Sequence, residues 1–236
     1  MANRFTRHIP NTVTCCNLFA GCIATVMAYE MRYDLALLFI VMAAVFDFFD
    51  GMLARLLDAR SPIGKDIDSL ADDISFGLAP AMIAFSLLRE SDWPEALAPF
   101  ASWLPYAGFL LSVFSALRLA KFNIDPRQTS SFIGMPTPAN TLFWASLAAG
   151  AHGVFVGSTY GGVCLLVLVG LMSGLLVCEL PMFSLKFKNL SWRDNRLRYV
   201  FLLGCVPLFA LLGVAGFAAV IVWYLVLSLV TFRRGQ

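Results

Sequence analysis

Seven aspartates stand between positions 47 and 73: Asp47, Asp50, Asp58, Asp66, Asp68, Asp72 and Asp73. The stretches on either side, 35–46 and 74–88, are almost wholly apolar. Carboxylates set in such sequence are costly to keep and mark a working site. On one helix Asp47, Asp50 and Gly51 share a face. On the next, Gly64, Asp68 and Asp72 are spaced i, i+4, i+8 and form a single line. Two acidic ridges turned toward each other make an oxygen-only cage. Such a cage suits a hard divalent cation such as Mg²⁺ or Mn²⁺, and it lacks the thiolate or imidazole that zinc prefers. Gly51, Ala54 and Gly64 leave room on those faces for a ligand or a close helix, and Arg55 adds a cation suited to phosphate.

The elements that must carry these residues are membrane spans. Of the 236 residues, 59% are hydrophobic and only 14% charged. A soluble domain of this size carries nearer a quarter charged residues. The expected fold is therefore an all-α integral membrane protein embedded in the phospholipid bilayer. A net charge of +2 gives no electrostatic case for a nucleic-acid partner. The short N-terminus runs straight into a long apolar segment without a small-residue cleavage site, so no cleaved leader is expected. The six cysteines lie in apolar segments and form no C-x2-C pair, and they read as small buried hydrophobes.

Eight apolar segments of roughly 20 residues account for nearly the whole chain. They lie at about 11–29, 35–57, 66–88, 100–122, 139–155, 161–182, 199–212 and 214–232. The first acidic ridge ends the second span, and the second ridge opens the third. With eight spans both termini share one side. That side holds 15 of the 17 Lys and Arg, against only Arg32 and Arg89 on the other. This bias places the termini and both ridges in or facing the cytoplasm.

The run D-x2-D-G-x2-A-R-x8-G-x3-D-x3-D, met at Asp47, Asp50, Gly51, Ala54, Arg55, Gly64, Asp68 and Asp72, resembles the signature of the CDP-alcohol phosphotransferase family. The resemblance implies a six-helix core, here residues 1–198, with the pair of helices in 199–236 added to it. It implies transfer of a phosphatidyl group from a CDP-linked donor, CDP-diacylglycerol, to an alcohol, with release of CMP. One or two Mg²⁺ or Mn²⁺ ions would sit on Asp47, Asp50, Asp68 and Asp72, and Asp72 would also be the general base. Gly51, Ala54, Arg55 and Gly64 would lie against the donor. The opening I-P-N-x-x-T-x-x-N at Ile9, Pro10, Asn11, Thr14 and Asn17 also resembles the family. It implies a place for Asn11 and Thr14 near the nucleotide or lipid head group, with helix capping as the alternative reading. Members are commonly homodimers.

The signature does not choose the alcohol. The segments 64–81, 115–123, 132–139 and 180–186 look like the membrane-bound phosphatidylserine synthases, whose acceptor is L-serine. A zwitterion needs a cation for its carboxylate, for which Arg118 and Lys186 are candidates. It needs an anion for its ammonium, for which Asp66 and Asp73 are candidates. Two alternatives stay open: the same chemistry on glycerol 3-phosphate or an inositol phosphate, and a divalent-cation transporter. A bacterial inner membrane is the expected location.

Overall fold

In the computed structural model the described residues are 8–59, 61–125, 132–183 and 191–234. They are almost entirely helical: α1 (Ile9–Tyr29), α2 (Tyr33–Leu56), α3 (Pro62–Asp72), α4 (Ala79–Glu90), α5 (Leu110–Ile124), α6 (Thr137–Val156), α7 (Gly161–Val177), α8 (Trp192–Leu212) and α9 (Gly216–Arg234). The one strand pairing among them is two residues long: β1 (Phe132–Ile133) runs antiparallel to β2 (Pro181–Met182). Among the described residues five helical stretches are long and apolar enough to cross a membrane: Ile9–Tyr29, Tyr33–Leu56, Pro62–Glu90, Leu104–Ile124 and Asn195–Thr231. α7 is apolar but shorter.

α1 and α2 lie against each other along their length, joined by the turn at Glu30–Arg32. Lipid tails are as apolar as leucine, so helices in a bilayer associate by close packing of small side chains. α1 fits this rule. Its buried Ala20, Ala24 and Ala28 recur every four residues, and Ala36 and Ala43 of α2 are buried with them. Phe19, Leu38, Val45 and Phe48 point outward instead. α4, α6 and α7 close the middle of the bundle around Leu87, Trp144 and Val169. α6 also packs on α9, and α8 packs on α9.

Several expected spans change shape. The third is not one regular helix: α3 and α4 are separated by a π turn, Asp73–Leu78, in which the Ala79 N–H reaches back five residues to the Ile74 carbonyl. The fourth begins as two short 3₁₀ pieces, Ala98–Phe100 and Leu104–Phe109, each led by a proline that can open a helix but cannot donate within one. α6 is kinked at Ala151. The sixth ends early, at Val177, because Pro181 and Met182 pair as a strand. The seventh begins at Trp192, well before position 199. The cysteines correct the expectation of burial. Cys15, Cys16, Cys22 and Cys164 are exposed on helix surfaces, and Cys178 and Cys205 are half-buried. In a bilayer the outer surface is apolar too, so a cysteine needs no interior position.

Candidate metal centre and donor cavity

The acidic ridges meet. One carboxylate oxygen from each of Asp47, Asp50 and Asp68 lies within 4.8 Å of the others. Asp47 and Asp50 come from the last turns of α2, and Asp68 from the middle of α3. Ser61 makes the crossing possible. Its hydroxyl accepts from the Gly64 N–H at 3.1 Å and starts α3, with Pro62 in the first turn. Gly64 packs tightly: a Cβ there would come to 2.9 Å from Asn11 Oδ1 and 3.0 Å from Ser61 Oγ, and those side chains would have to move. α3 therefore lies close to the start of α1.

Each acid is oriented by a neighbour or left open. Thr14 Oγ lies 2.6 Å from Asp50 Oδ2 and 3.1 Å from the Pro10 carbonyl. A hydroxyl has one proton, and the α1 ladder already gives Pro10 a backbone donor. The proton therefore goes to Asp50. Asp68 Oδ1 is buried and has no hydrogen-bond partner. Among the described residues no salt bridge reaches Asp47, Asp50 or Asp68. Three oxygens, one of them an orphan, with no protein cation on them, fit a hard divalent ion.

Asp72 stands apart from that trio. It accepts a hydrogen bond from Asn17 Nδ2 at 3.3 Å, and its charge interacts most strongly with Asp47, then with Asp68 and Asp50. It borders the cage without sharing the 4.8 Å group.

Beside the acids is a cavity of about 540 Å³. Asn11, Thr14, Gly51, Ala54 and Gly64 line it, and Asp50 and Asp68 form its acidic edge. No atom lies within 4 Å of where a Gly51 Cβ would be, so that glycine faces open space. Arg55 is not part of the lining. Its Nε turns back along α2 to donate to the Gly51 carbonyl at 3.0 Å. Lys65 does line the cavity, and sequence reasoning passed over it. Its signal was its place beside Gly64, on the same edge of α3.

The four acceptor candidates part company. Asp66 is exposed and outside the cavity lining. Asp73 is half-buried, and its Oδ1 has no hydrogen-bond partner. A Cβ at Gly77 would touch both this oxygen, at 2.7 Å, and Ser115 Oγ, at 3.1 Å, so the two sit together. Arg118, one turn beyond Ser115, is 7% exposed, has an unpartnered Nε and is drawn electrostatically to Asp72. Lys186 lies outside the described residues.

The family model for CDP-alcohol phosphatidyltransferases matches residues 7–182, the stretch that contains every acid of the cage. The chain belongs to that family. Among curated relatives it is similar to proteins named CDP-diacylglycerol–serine O-phosphatidyltransferase. The one from Bacillus subtilis (strain 168) is 38% identical over 135 residues, which cover 56% of this chain and 70% of the relative. The one from Helicobacter pylori (strain ATCC 700392 / 26695) is 35% identical over 132 residues, 55% of this chain and 52% of the relative. The Saccharomyces cerevisiae protein is 33% identical over 147 residues, 56% of this chain and 50% of the relative. For the last two the match spans about half the relative's length.

Proposed function

We propose that this chain is a phosphatidylserine synthase. It moves the phosphatidyl group of CDP-diacylglycerol onto the hydroxyl of L-serine and releases CMP. The observation that carries the reading is the convergence of Asp47, Asp50 and Asp68 at the edge of the cavity lined by Gly51, Ala54 and Gly64. The names of the curated relatives support serine as the acceptor.

In this reading Asp47, Asp50, Asp68 and Asp72 hold one or two Mg²⁺ or Mn²⁺ ions. When bound, these neutralise the pyrophosphate and stabilise the departing CMP. The cytidine and its phosphates lie along Gly51, Ala54 and Gly64, with Asn11, Thr14 and Lys65 as polar contacts. Arg55 swings from its Gly51 contact to meet a phosphate. Asp72 is the base: Asn17 holds one carboxylate oxygen, leaving the other to take the serine hydroxyl proton. The serine oxygen then bonds to the phosphatidyl phosphorus. The bond from that phosphorus to the bridging oxygen breaks, and CMP leaves with the electron pair.

Arg118 suits the serine carboxylate and Asp73 the ammonium. Arg118 is buried and Asp73 half-buried, each with an unpartnered polar atom, and Asp73 follows Asp72 in the chain. Asp66 and Lys186 are weaker choices, the first for its exposure. Among the described residues Arg118 is the buried cation, a poor match for a phosphorylated acceptor. The same reading takes the chain as eight spans, a six-helix core to about residue 198 with a C-terminal pair. It places the acids on the cytoplasmic side of a bacterial inner membrane, in a homodimer, and the charge bias supports that orientation.

The test is purified protein with CDP-diacylglycerol and Mg²⁺ or Mn²⁺, offered each alcohol in turn while CMP release is followed. Release with L-serine alone is expected. Release with glycerol 3-phosphate or an inositol phosphate in place of serine would overturn the acceptor. Cation flux into sealed liposomes without nucleotide would overturn the enzyme.

A further inference from the structure

The break between α3 and α4 is held from another helix. In an α-helix the Phe76 carbonyl would accept from residue 80, but residue 80 is proline and has no N–H. In the π register the five-residue reach from Ser75 also ends on Pro80, and that from Phe76 ends on Ala81. Phe76 is completely buried, so its carbonyl depends on donors from the protein.

Thr141 of α6 stands at this point. It is itself completely buried, and its Oγ lies 2.8 Å from the Phe76 carbonyl and 2.9 Å from the Thr137 carbonyl. Its single proton can serve one of them. The Thr137 carbonyl already has the Thr141 backbone N–H through the α6 ladder, so the hydroxyl donates to Phe76. A second brace comes from α1. Ser75 Oγ donates to the Asn17 carbonyl at 3.1 Å, while the Asn17 side chain donates to Asp72. Ser75 also fills the space against Gly21 that any Cβ would need. The turn that follows Asp72 is thus pinned on two sides, by Asn17 through Ser75 and by Thr141 through Phe76.

We propose that Thr141 is a positioning residue for the transfer reaction: by donating to the Phe76 carbonyl it locks the π turn and so fixes the Asp72 carboxylate toward the acceptor. It touches neither substrate nor ion. π turns inside α-helices recur at functional sites, and here the turn places an acid that terminates a helix. The inference rests on Asp72 being the base, as proposed above.

The test compares Thr141→Val, which keeps the shape and loses the hydroxyl, with Thr141→Ser, which keeps the hydroxyl. CMP release is measured with whichever alcohol the wild type uses, and Mn²⁺ binding is followed by electron paramagnetic resonance. Thr141→Val should lower kcat by about a hundredfold, the cost of misplacing a reacting group by about 1 Å. KM for CDP-diacylglycerol should stay within about twofold, Mn²⁺ affinity, carried chiefly by Asp47, Asp50 and Asp68, should fall far less than the rate, and Thr141→Ser should recover most of the rate. Pro80→Ala adds an N–H that reaches the Phe76 carbonyl where the turn closes in α-helical register, so in that background Thr141→Val should cost less. Equal loss in both backgrounds, an unimpaired Thr141→Val, a Thr141→Ser as slow as Thr141→Val, or a loss confined to KM would each overturn the proposal. So would a Thr141→Val that does not fold and that Pro80→Ala does not restore. Failure of the base assignment is read separately: it appears as full turnover in Asp72→Asn with Thr141 intact.

Discussion

The two ends of α2 treat carboxylates in opposite ways. Near its start, Glu90 of α4 has protein partners: Tyr33 Oη donates to its Oε2 at 2.6 Å, and His152 Nε2 lies 3.1 Å from the same oxygen. About 21 Å further along the helix, Asp47 and Asp50 join Asp68 with no salt bridge to any of them among the described residues. A structural acid finds its partners within the fold. A working acid is kept short of them, at the cost of repulsion that only an incoming cation relieves. The contrast separates the two roles without reference to sequence motifs.

Substitutions at the two ends should therefore diverge. Asp72→Asn should cut CMP release by about a hundredfold to ten-thousandfold, the range for losing a general base, while CDP-diacylglycerol still binds. Normal turnover would remove the base assignment. Asp50→Ala should abolish activity or raise the Mn²⁺ concentration needed for half-maximal rate, and an unchanged metal titration would count against a ligand role. Thr14→Val removes the donor that aims Asp50. Hydrogen bonds to charged groups are worth about 1.5–3 kcal/mol, so the metal requirement should rise by about tenfold with little change in rate at saturating metal. Glu90→Gln, at the engaged end, should leave rate and metal titration within about twofold and lower the unfolding temperature by about a few degrees. A metal effect from Glu90→Gln as large as that from Asp50→Ala would erase the distinction between the ends.

Much of the site could be read in the chain because it rests on local periodicity. Gly64, Asp68 and Asp72 recur every four residues and had to share a face of α3. The eight-residue link from Arg55 to Gly64 brings that face back to α2. What escaped the sequence depends on contacts made at a distance. Asp72 sits outside the tight trio because Asn17 of α1 holds it. Arg55 turns away because Gly51 offers a nearby carbonyl. The π turn exists where Pro80 deprives the helix of a donor and α6 provides one; only the proline was visible beforehand. Thr141 and Ser115 looked like ordinary polar residues in apolar helices, and their burial against the third span gives them weight. The cysteines were misjudged because a rule for water-facing surfaces was applied to a lipid-facing one.

The position of Thr141 in the chain also bears on how the molecule is made. Polypeptides emerge from the N-terminus, so α1, α2 and α3, with all four acids, enter the membrane before α6 exists. Until that later helix arrives, the Phe76 carbonyl has no donor from it and the turn after Asp72 lacks one of its two braces. If Asp47, Asp50, Asp68 and Asp72 act as proposed above, a nascent chain would hold these acids before it could aim Asp72, and catalytic competence would come with insertion of α6.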